Sequence, residues 1–371
     1  MTGLANTKPD QEKKTIINKN KKDFLDIIVC MYVFLCLCYD YIMEKIDFLA
    51  IGDIVLDAFI RLKDAHVHCK IDSDACELCL RFGDKIPYES VTVIPAVGNG
   101  PNAAVAASRL GLNSGIITNI GDDEYGKECL NSLKNDKVNT KYVSIEKGKI
   151  TNYHYVLWYD VDRTILIKHT EFNYKFPKLG DVSWIYLSSL ADNSLGYHGE
   201  IIGYLKNHPE TKLAFQPGTF QIKLGAEKLK DIYARTEIFF SNIEEAERIL
   251  NIETKDIATL IKGIHALGPK IVAISDGPNG AYVGDGKNIW FIPMYPDITP
   301  PLDRTGAGDA FSSTFATAIS LGKTIPEALA WGPINSMSVV QEIGAQKGLL
   351  TREKLEEYLK NVPAEYKARK I

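Results

Sequence analysis

The chain has 371 residues, 45% of them hydrophobic and 24% charged, with a formal net charge of −4. That is enough apolar material for a large buried core and, by length alone, for two to three domains of ordinary size. A balance so close to neutral excludes general nucleic-acid or membrane-surface binding through a basic face, so no such partner is expected and any basic site must be local.

The seven cysteines are odd in number in a large chain, which points to reduced thiols in a cytoplasmic protein rather than to a disulfide framework. Residues 1–23 are polar and Lys-rich and precede an uncharged run at 27–39. A bilayer needs about 20 apolar residues, so this run does not span one, and no small-residue cleavage site follows it. Residues 1–42 are therefore expected to be an extension outside the fold, with a single domain over 44–371. Residues 48–56 read as one buried strand, apolar except for Asp53 and ended by Asp57. From 61 to 97, short β-prone pieces punctuated by Gly83, Pro87 and Pro95 suggest strands standing off the main body. Within them His66, His68, Cys69, Cys76 and Cys79 could supply a zinc site on paper. Their spacing matches no zinc motif, and Leu78 and Leu80 suit an alternating strand that merely contains cysteine.

Residues 103–110 read as a helix stopped by Gly111, followed by a strand at 114–119. Tyr153, Tyr155, Leu157 and Tyr159 alternate along a strand that turns at 160–163, a hairpin partner for the earlier off-body strands. Beyond it, strands at 184–187, 213–215, 238–241 and 270–275 alternate with helices near 199–207, 226–233 and 243–250. Such alternation implies a mostly parallel sheet covered by helices on both faces.

The most informative stretch is Asp303-Arg304-Thr305-Gly306-Ala307-Gly308-Asp309, which runs straight into the apolar segment 310–319. It reads as a loop opening a helix. The small residues Gly306, Ala307 and Gly308 let backbone N–H groups converge on an anion, helped by the helix dipole. Asp309 at the mouth of that nest is placed to take a proton from a hydroxyl while the amides stabilise charge on a phosphate. An Asp helix cap on a glycine turn is the plainer alternative. A rival site is Gly98-x-Gly100-x-x-Ala103, which fits the dinucleotide fingerprint of an NAD-dependent enzyme, with Asp122 or Asp123 about twenty residues on. Its position counts against it, because a strand and a β appendage come first. Asn242 with Glu245 can form a capping box at a helix start. Gly322-Lys323-Thr324 mimics the end of a phosphate loop but suits a helix stop and a second capping box, Thr324 to Glu327.

The segment Asp303 to Asp309, continued by Ala310 and Phe311, resembles the C-terminal signature of the ribokinase-like (PfkB) family of sugar and nucleoside kinases. Other parts agree in order. Val97-Gly98-Asn99-Gly100-Pro101-Asn102 leading to Arg109-Leu110-Gly111 resembles the family's Gly-Gly-x-x-x-Asn helix start, with Val97 in place of the first, hinge glycine. Asn242 and Glu245 resemble its Asn-x-x-Glu, and Ser275-Asp276-Gly277-Pro278-Asn279-Gly280 its nucleotide loop. Gln216 stands where the family often has Asp or Asn. The resemblance implies an α/β fold, a ribokinase-like three-layer α/β/α sandwich with a small β-sheet lid drawn from about 61–97 and 150–170. It implies ATP-dependent phosphorylation of a hydroxymethyl group on a sugar or sugar-like substrate, with an adenosine-like nucleoside as the alternative acceptor. Asp309 would be the base and Gly306, Ala307 and Gly308 the anion hole. Asp57, Gly98 and Asn102 would hold substrate, and Asn242, Ser275, Gly277 and Gly280 the nucleotide. Glu245 would order Mg²⁺ through water. Asp303, Thr305 and Gly344, in the loop closed by Ala345 and Gln346, would hold a monovalent cation such as K⁺, unless Arg304 balances Asp303 instead. A homodimer through the lid is a further expectation, and a member of the fold that binds ligand without turnover stays open.

Overall fold

The computed structural model describes residues 45–63, 65–69, 76–159 and 162–371. The extension expected at 1–42, and the side chains of Cys69 and Cys76 in the zinc alternative, lie outside the described residues.

Short β-branched and aromatic runs build a main sheet of ten strands among the described residues. Chain order gives β1 (Ile46–Ile51), β6 (Ser114–Gly121), β7 (Asn139–Glu146), β10 (Val182–Leu187), β11 (Lys212–Phe215), β12 (Ile238–Asn242), β13 (Ile271–Ser275), β14 (Ala281–Gly284), β15 (Ile289–Ile292) and β16 (Arg369–Lys370). Their spatial order is β16-β15-β14-β13-β12-β11-β10-β1-β6-β7. From β7 to β13 the pairs are parallel, and β14, β15 and β16 add an antiparallel edge. Alternate strand residues feed two cores, as a sheet buried on both faces requires. Leu49, Ile51, Ile185, Leu187 and Phe239 meet helices α3 (Leu195–Asn207), α5 (Lys230–Arg235), α6 (Ile243–Leu250) and α7 (Ile257–Ala266). Phe48, Trp184, Tyr186 and Phe240 meet α1 (Asn99–Arg109), α8 (Ala307–Ser320), α9 (Ile325–Val339) and α10 (Arg352–Lys360) on the other face. Three layers result. Two further helices are α2 (Glu124–Asn135) and α4 (Thr219–Leu224).

A second sheet of four strands has the order β5-β2-β8-β9, from β2 (Val55–Leu62), β5 (Tyr88–Val97), β8 (Asn152–Tyr159) and β9 (Asp162–Leu166). β3 (His66–Cys69) and β4 (Cys76–Cys79) pair separately, with His66 opposite Cys79. The single strand expected over 48–56 is two. The run breaks at Gly52 and Asp53, and from Val55 the chain pairs with β5 and β8 of the small sheet instead of with β6 and β10. Apolarity alone does not distinguish two adjacent buried strands from one. The helix expected near 226–233 is helical only from Lys230, as α5; residues 226–229 form a turn, and the separate short helix α4 ends before them at Leu224, where Gly225 takes φ +87°. The capping box of Thr324 and Glu327 is formed. No helix among the described residues is long and apolar enough to cross a membrane.

Parallel strands deliver their following residues to one edge, outside the carboxyl ends, where open α/β sheets bind ligands. Asp53 follows β1, Gln216 follows β11, and Asn242 and Ser275 end β12 and β13. The N-termini of α1 and α8 meet at the same edge, joined by the hydrogen bonds between Asn99, Asn102 and Asp309.

Candidate active site

Asp309 sits in the first turn of α8, whose N-cap Gly306 adopts φ +81°. A side chain at 306 would meet Ala345 Cβ at 2.3 Å, so glycine is needed both for the backbone angle and for the close loop contact. The first amides of a helix have no partner within it; here the Ala307 amide donates to the Arg304 carbonyl at 3.4 Å, which leaves those of Gly308 and Asp309 to meet an anion.

The Asp309 carboxylate receives three side-chain amides. Asn99 Nδ2 donates to Oδ1 at 2.8 Å, Gln216 Nε2 donates to the same oxygen at 3.0 Å, and Asn102 Nδ2 donates to Oδ2 at 2.8 Å. Two of the three donors are themselves braced. The Tyr186 hydroxyl donates to Gln216 Oε1 at 2.6 Å, and Gln346 Nε2 donates to Asn102 Oδ1 at 2.9 Å and to the Ala96 carbonyl at 2.6 Å. Burial pushes the Asp309 carboxyl above the usual aspartate range, while the three amides oppose that rise by favouring the ion. The result is an oriented carboxylate with raised basicity.

Asn102, expected to hold substrate, is here committed at both ends of its amide, to Asp309 and Gln346. It holds the Asp309 carboxylate in place. Asn99 was not singled out from sequence, yet it does the same work. The signal was available, since residues three apart at a helix start share a face. Val97, the departure from the hinge pattern, is the last residue of β5 and pairs with Val55. Positive φ falls on its neighbours, Ala96 at +62° and Gly98 at +117°. A Cβ at Gly98 would lie 2.7 Å from the Asp53 carbonyl oxygen, so glycine lets α1 start against Asp53.

Asp57, 8% exposed, lies on β2 beside His154 of β8, with His154 Nδ1 3.5 Å from Asp57 Oδ1. Asp53 accepts the Tyr174 hydroxyl at 2.7 Å on Oδ1 and faces His169 Nδ1 at 3.5 Å with Oδ2. His154 and His169 meet edge to face, 5.3 Å between centroids. Neither histidine was foreseen from sequence.

On the other side, Ser275, Gly277 and Gly280 line a cavity of about 580 Å³ together with Ala307, Gly308 and Arg304. The structure thus brings the expected nucleotide loop and anion loop to one space. Asn242 and Glu245 form the full capping box, with Asn242 Oδ1 accepting from the Glu245 amide at 2.7 Å and Glu245 Oε2 from the Asn242 amide at 3.0 Å. Burial raises the Glu245 carboxyl, and Asp309 is close enough to add to the rise.

Asp303 is 2% exposed and joins the two loops expected at the cation site. Its Oδ1 accepts from the Thr305 amide at 2.9 Å and hydroxyl at 2.7 Å, and its Oδ2 from the Gly344 amide at 2.9 Å. Arg304 is exposed and lies near Asp297, whose carboxyl burial pushes up while the Arg304 guanidinium partly opposes the rise.

The NAD alternative does not survive this geometry. The strand before Gly98 is β5, in the small sheet and antiparallel to β2, so no parallel βαβ unit is built there. The helix start faces the Asp309 carboxylate rather than an open pyrophosphate site.

Fold and site together define a three-layer α/β/α protein with a carboxylate braced by three side-chain amides at a helix start. The pattern of the pfkB family carbohydrate kinases matches residues 68–352, and the chain belongs to that family. It is a sugar or nucleoside kinase, a phosphotransferase with an alcohol acceptor. It is similar to ribokinase of Bacillus subtilis, 28% identical over 288 residues that cover 75% of this chain and 92% of the relative. It is also similar to fructoselysine 6-kinase of Escherichia coli, 28% identical over 251 residues, 67% of this chain and 90% of the relative. In fold it resembles Arabidopsis thaliana ribokinase complexed with ribose and ATP, with a TM-score of 0.71 at 19% identity, covering 85% of this chain and 99% of the other.

Proposed function

We propose that the chain transfers the γ-phosphoryl group of ATP to a hydroxymethyl group of a sugar. The observation that carries this reading is the Asp309 carboxylate, held by Asn99, Asn102 and Gln216 at the start of α8 and next to the cavity that Gly308 lines. Asp309 takes the hydroxyl proton, the oxygen forms its bond to the γ-phosphorus, and the bond to the β-phosphate oxygen breaks to release ADP. The amides of the Gly306 to Asp309 turn receive the charge that develops on the transferred group. Gly277 and Gly280 admit the nucleotide, and Asp57 and Gly98 face the acceptor. The half-buried Glu245, whose carboxyl burial pushes up, suits a hydrated Mg²⁺ held through water with Asn242; when bound, that ion would neutralise the phosphates.

The same reading includes a K⁺ near Asp303, Thr305 and Gly344, one domain over 44–371, and a lid formed by the small sheet. Exposed apolar residues of that sheet, Tyr88, Val91, Val93 and Tyr155, support a homodimer through the lid. The free thiols of Cys79 and Cys129 support a cytoplasmic location.

The test is ADP release by the purified chain with ATP and Mg²⁺ against a panel of sugars and nucleosides. Release driven by a sugar with a free hydroxymethyl is expected. Release driven by nucleosides alone would replace the sugar reading, and none with any acceptor would end both.

A further inference from the structure

Among the amides on Asp309, that of Asn102 has its direction fixed from the backbone. The Ala96 carbonyl can only accept, so the end of Gln346 that meets it at 2.6 Å is the NH₂. That same NH₂ reaches Asn102 at 2.9 Å, which therefore presents its Oδ1. Asn102 is left with its own NH₂ toward Asp309 Oδ2, at 2.8 Å. Gln216 lacks this anchor, because its partner is the Tyr186 hydroxyl, a group able to donate or accept.

Gln346 is held firmly enough to impose that direction. It is 5% exposed and Asn102 3%, so water does not compete for either amide. Its main chain is mounted from α1: Arg109 Nη1 donates to the Gln346 carbonyl at 2.6 Å and to the Leu349 carbonyl at 3.0 Å, while Arg109 Nε pairs with Asp136 at 2.7 Å. On the other side Ala96 takes φ +62°, a costly angle that persists only where its surroundings hold it. Gln346 supplies one such contact.

The direction bears on the chemistry. A carboxylate only accepts, whereas a carboxylic acid needs an acceptor for its O–H. With Asn102 held NH₂-first, the ionised Asp309 is matched and the protonated form is not. Were Asn102 free to turn over, its Oδ1 would accept from a protonated Asp309 and favour the form that cannot take a proton.

We propose that Gln346 is a positioning residue for phosphoryl transfer, holding the donor end of Asn102 on Asp309 so that the carboxylate stays ready for the hydroxyl proton. This deepens the reading of Asp309 as base and rests on it. The ionisable groups that feel the Asp309 charge, Tyr186 on β10 and Glu245 on α6, are the same with or without Gln346. Arg109 reaches only carbonyls of the loop and Asp136.

The experiment follows kcat for ADP release against pH in the full chain and its variants Gln346→Met and Gln346→Glu, with ATP, Mg²⁺ and ribose or fructose, whichever the parent phosphorylates. Met keeps the length of the side chain and removes its donors; Glu sets an acceptor opposite Asn102 and drives it to turn. On the alkaline plateau kcat is expected to fall roughly tenfold, and the acid inflection to rise by about one unit in Gln346→Glu and by less in Gln346→Met, the scale of one hydrogen bond to a charged group. KM for ATP should hold, because Gln346 is not among the residues that line the nucleotide cavity. A fall in kcat with the inflection unmoved would show a structural role only, and parent-like behaviour no role; either overturns the proposal. If Gln346→Glu does not fold, Gln346→Met carries the same readings. Asp309 is intact in both variants, so failure here is distinct from parent-like turnover by Asp309→Asn, which would remove the base itself. If neither sugar drives ADP release, the melting temperature of Gln346→Met relative to the parent decides. A further raised Asp309 carboxyl makes that difference more unfavourable from pH 4 to pH 7, and a difference independent of pH overturns the proposal.

Discussion

Replacing Asp309 by asparagine tests the site at its centre. The carboxylate takes two amides on Oδ1 and one on Oδ2. An asparagine can keep its oxygen toward Asn99 and Gln216, but its NH₂ then faces the NH₂ of Asn102. Asn102 cannot turn over to relieve this, because its Oδ1 accepts from Gln346, whose own amide is also bound to Ala96. One buried donor pair is therefore left in conflict, at about 1–3 kcal/mol. Relief of the desolvated charge offsets part of that, so the variant folds with only a modest loss of thermal stability. Catalysis suffers far more. Loss of a general base costs on the order of 10² to 10⁴ in rate, about 3–5 kcal/mol of barrier. The assay is kcat for ADP release with saturating ATP and acceptor, beside ATP binding by calorimetry. Turnover within threefold of the parent, with ATP still bound, would refute the assignment of Asp309 as base.

The raised Asp309 carboxyl sets two pH effects with opposite appearance. Activity should fall on the acid side with an inflection above the ordinary aspartate value of 3.8, and an inflection at or below it would count against burial as the cause. For stability, a folded value above the unfolded one means the ionised form costs folding free energy once pH passes the folded value. The melting temperature of Asp309→Asn relative to the parent should therefore rise from pH 4 to pH 7. Gly306→Ala places a Cβ 2.3 Å from Ala345 Cβ at φ +81°, for a combined cost of roughly 2–5 kcal/mol, and urea midpoints check it. Asp303→Asn leaves one of three donors unmatched and should lower stability by about 1–3 kcal/mol. With the parent chain, initial rates at constant ionic strength should be higher in K⁺ than in Na⁺ or Cs⁺ salts, and indifference to the ion would remove the cation from the site. A chain begun at Met43 keeps every described element, the first being β1 from Ile46, and should match the full chain in helicity and turnover.

Local chemistry made much of this protein legible in its sequence. The small residues before Asp309, running into an apolar segment, suit an open turn into a helix, and the alternation of apolar runs with amphipathic ones implies a parallel sheet covered on both faces. Asn242 with Glu245, and Thr324 with Glu327, announced their capping boxes because both partners lie within one helical turn. What depends on partners distant in the chain was not legible. The run from Phe48 to Leu56 is uniformly apolar, yet β1 pairs with β6 and β10 while β2 pairs with β5 and β8, a choice made by strands that lie 30 to 140 residues away. The amides on Asp309 come from 207, 210 and 93 residues away. His154 and His169 gain meaning only when β8 is laid beside β2 and the chain after β9 returns over Asp53. Sequence by itself determined the residue types, their local turns and the periodicity of the layers, because those follow from backbone geometry and neighbours within a few positions. Only the tertiary structure decided which carboxylate is braced and which amides are spent holding it, because such contacts exist only once distant segments share one space.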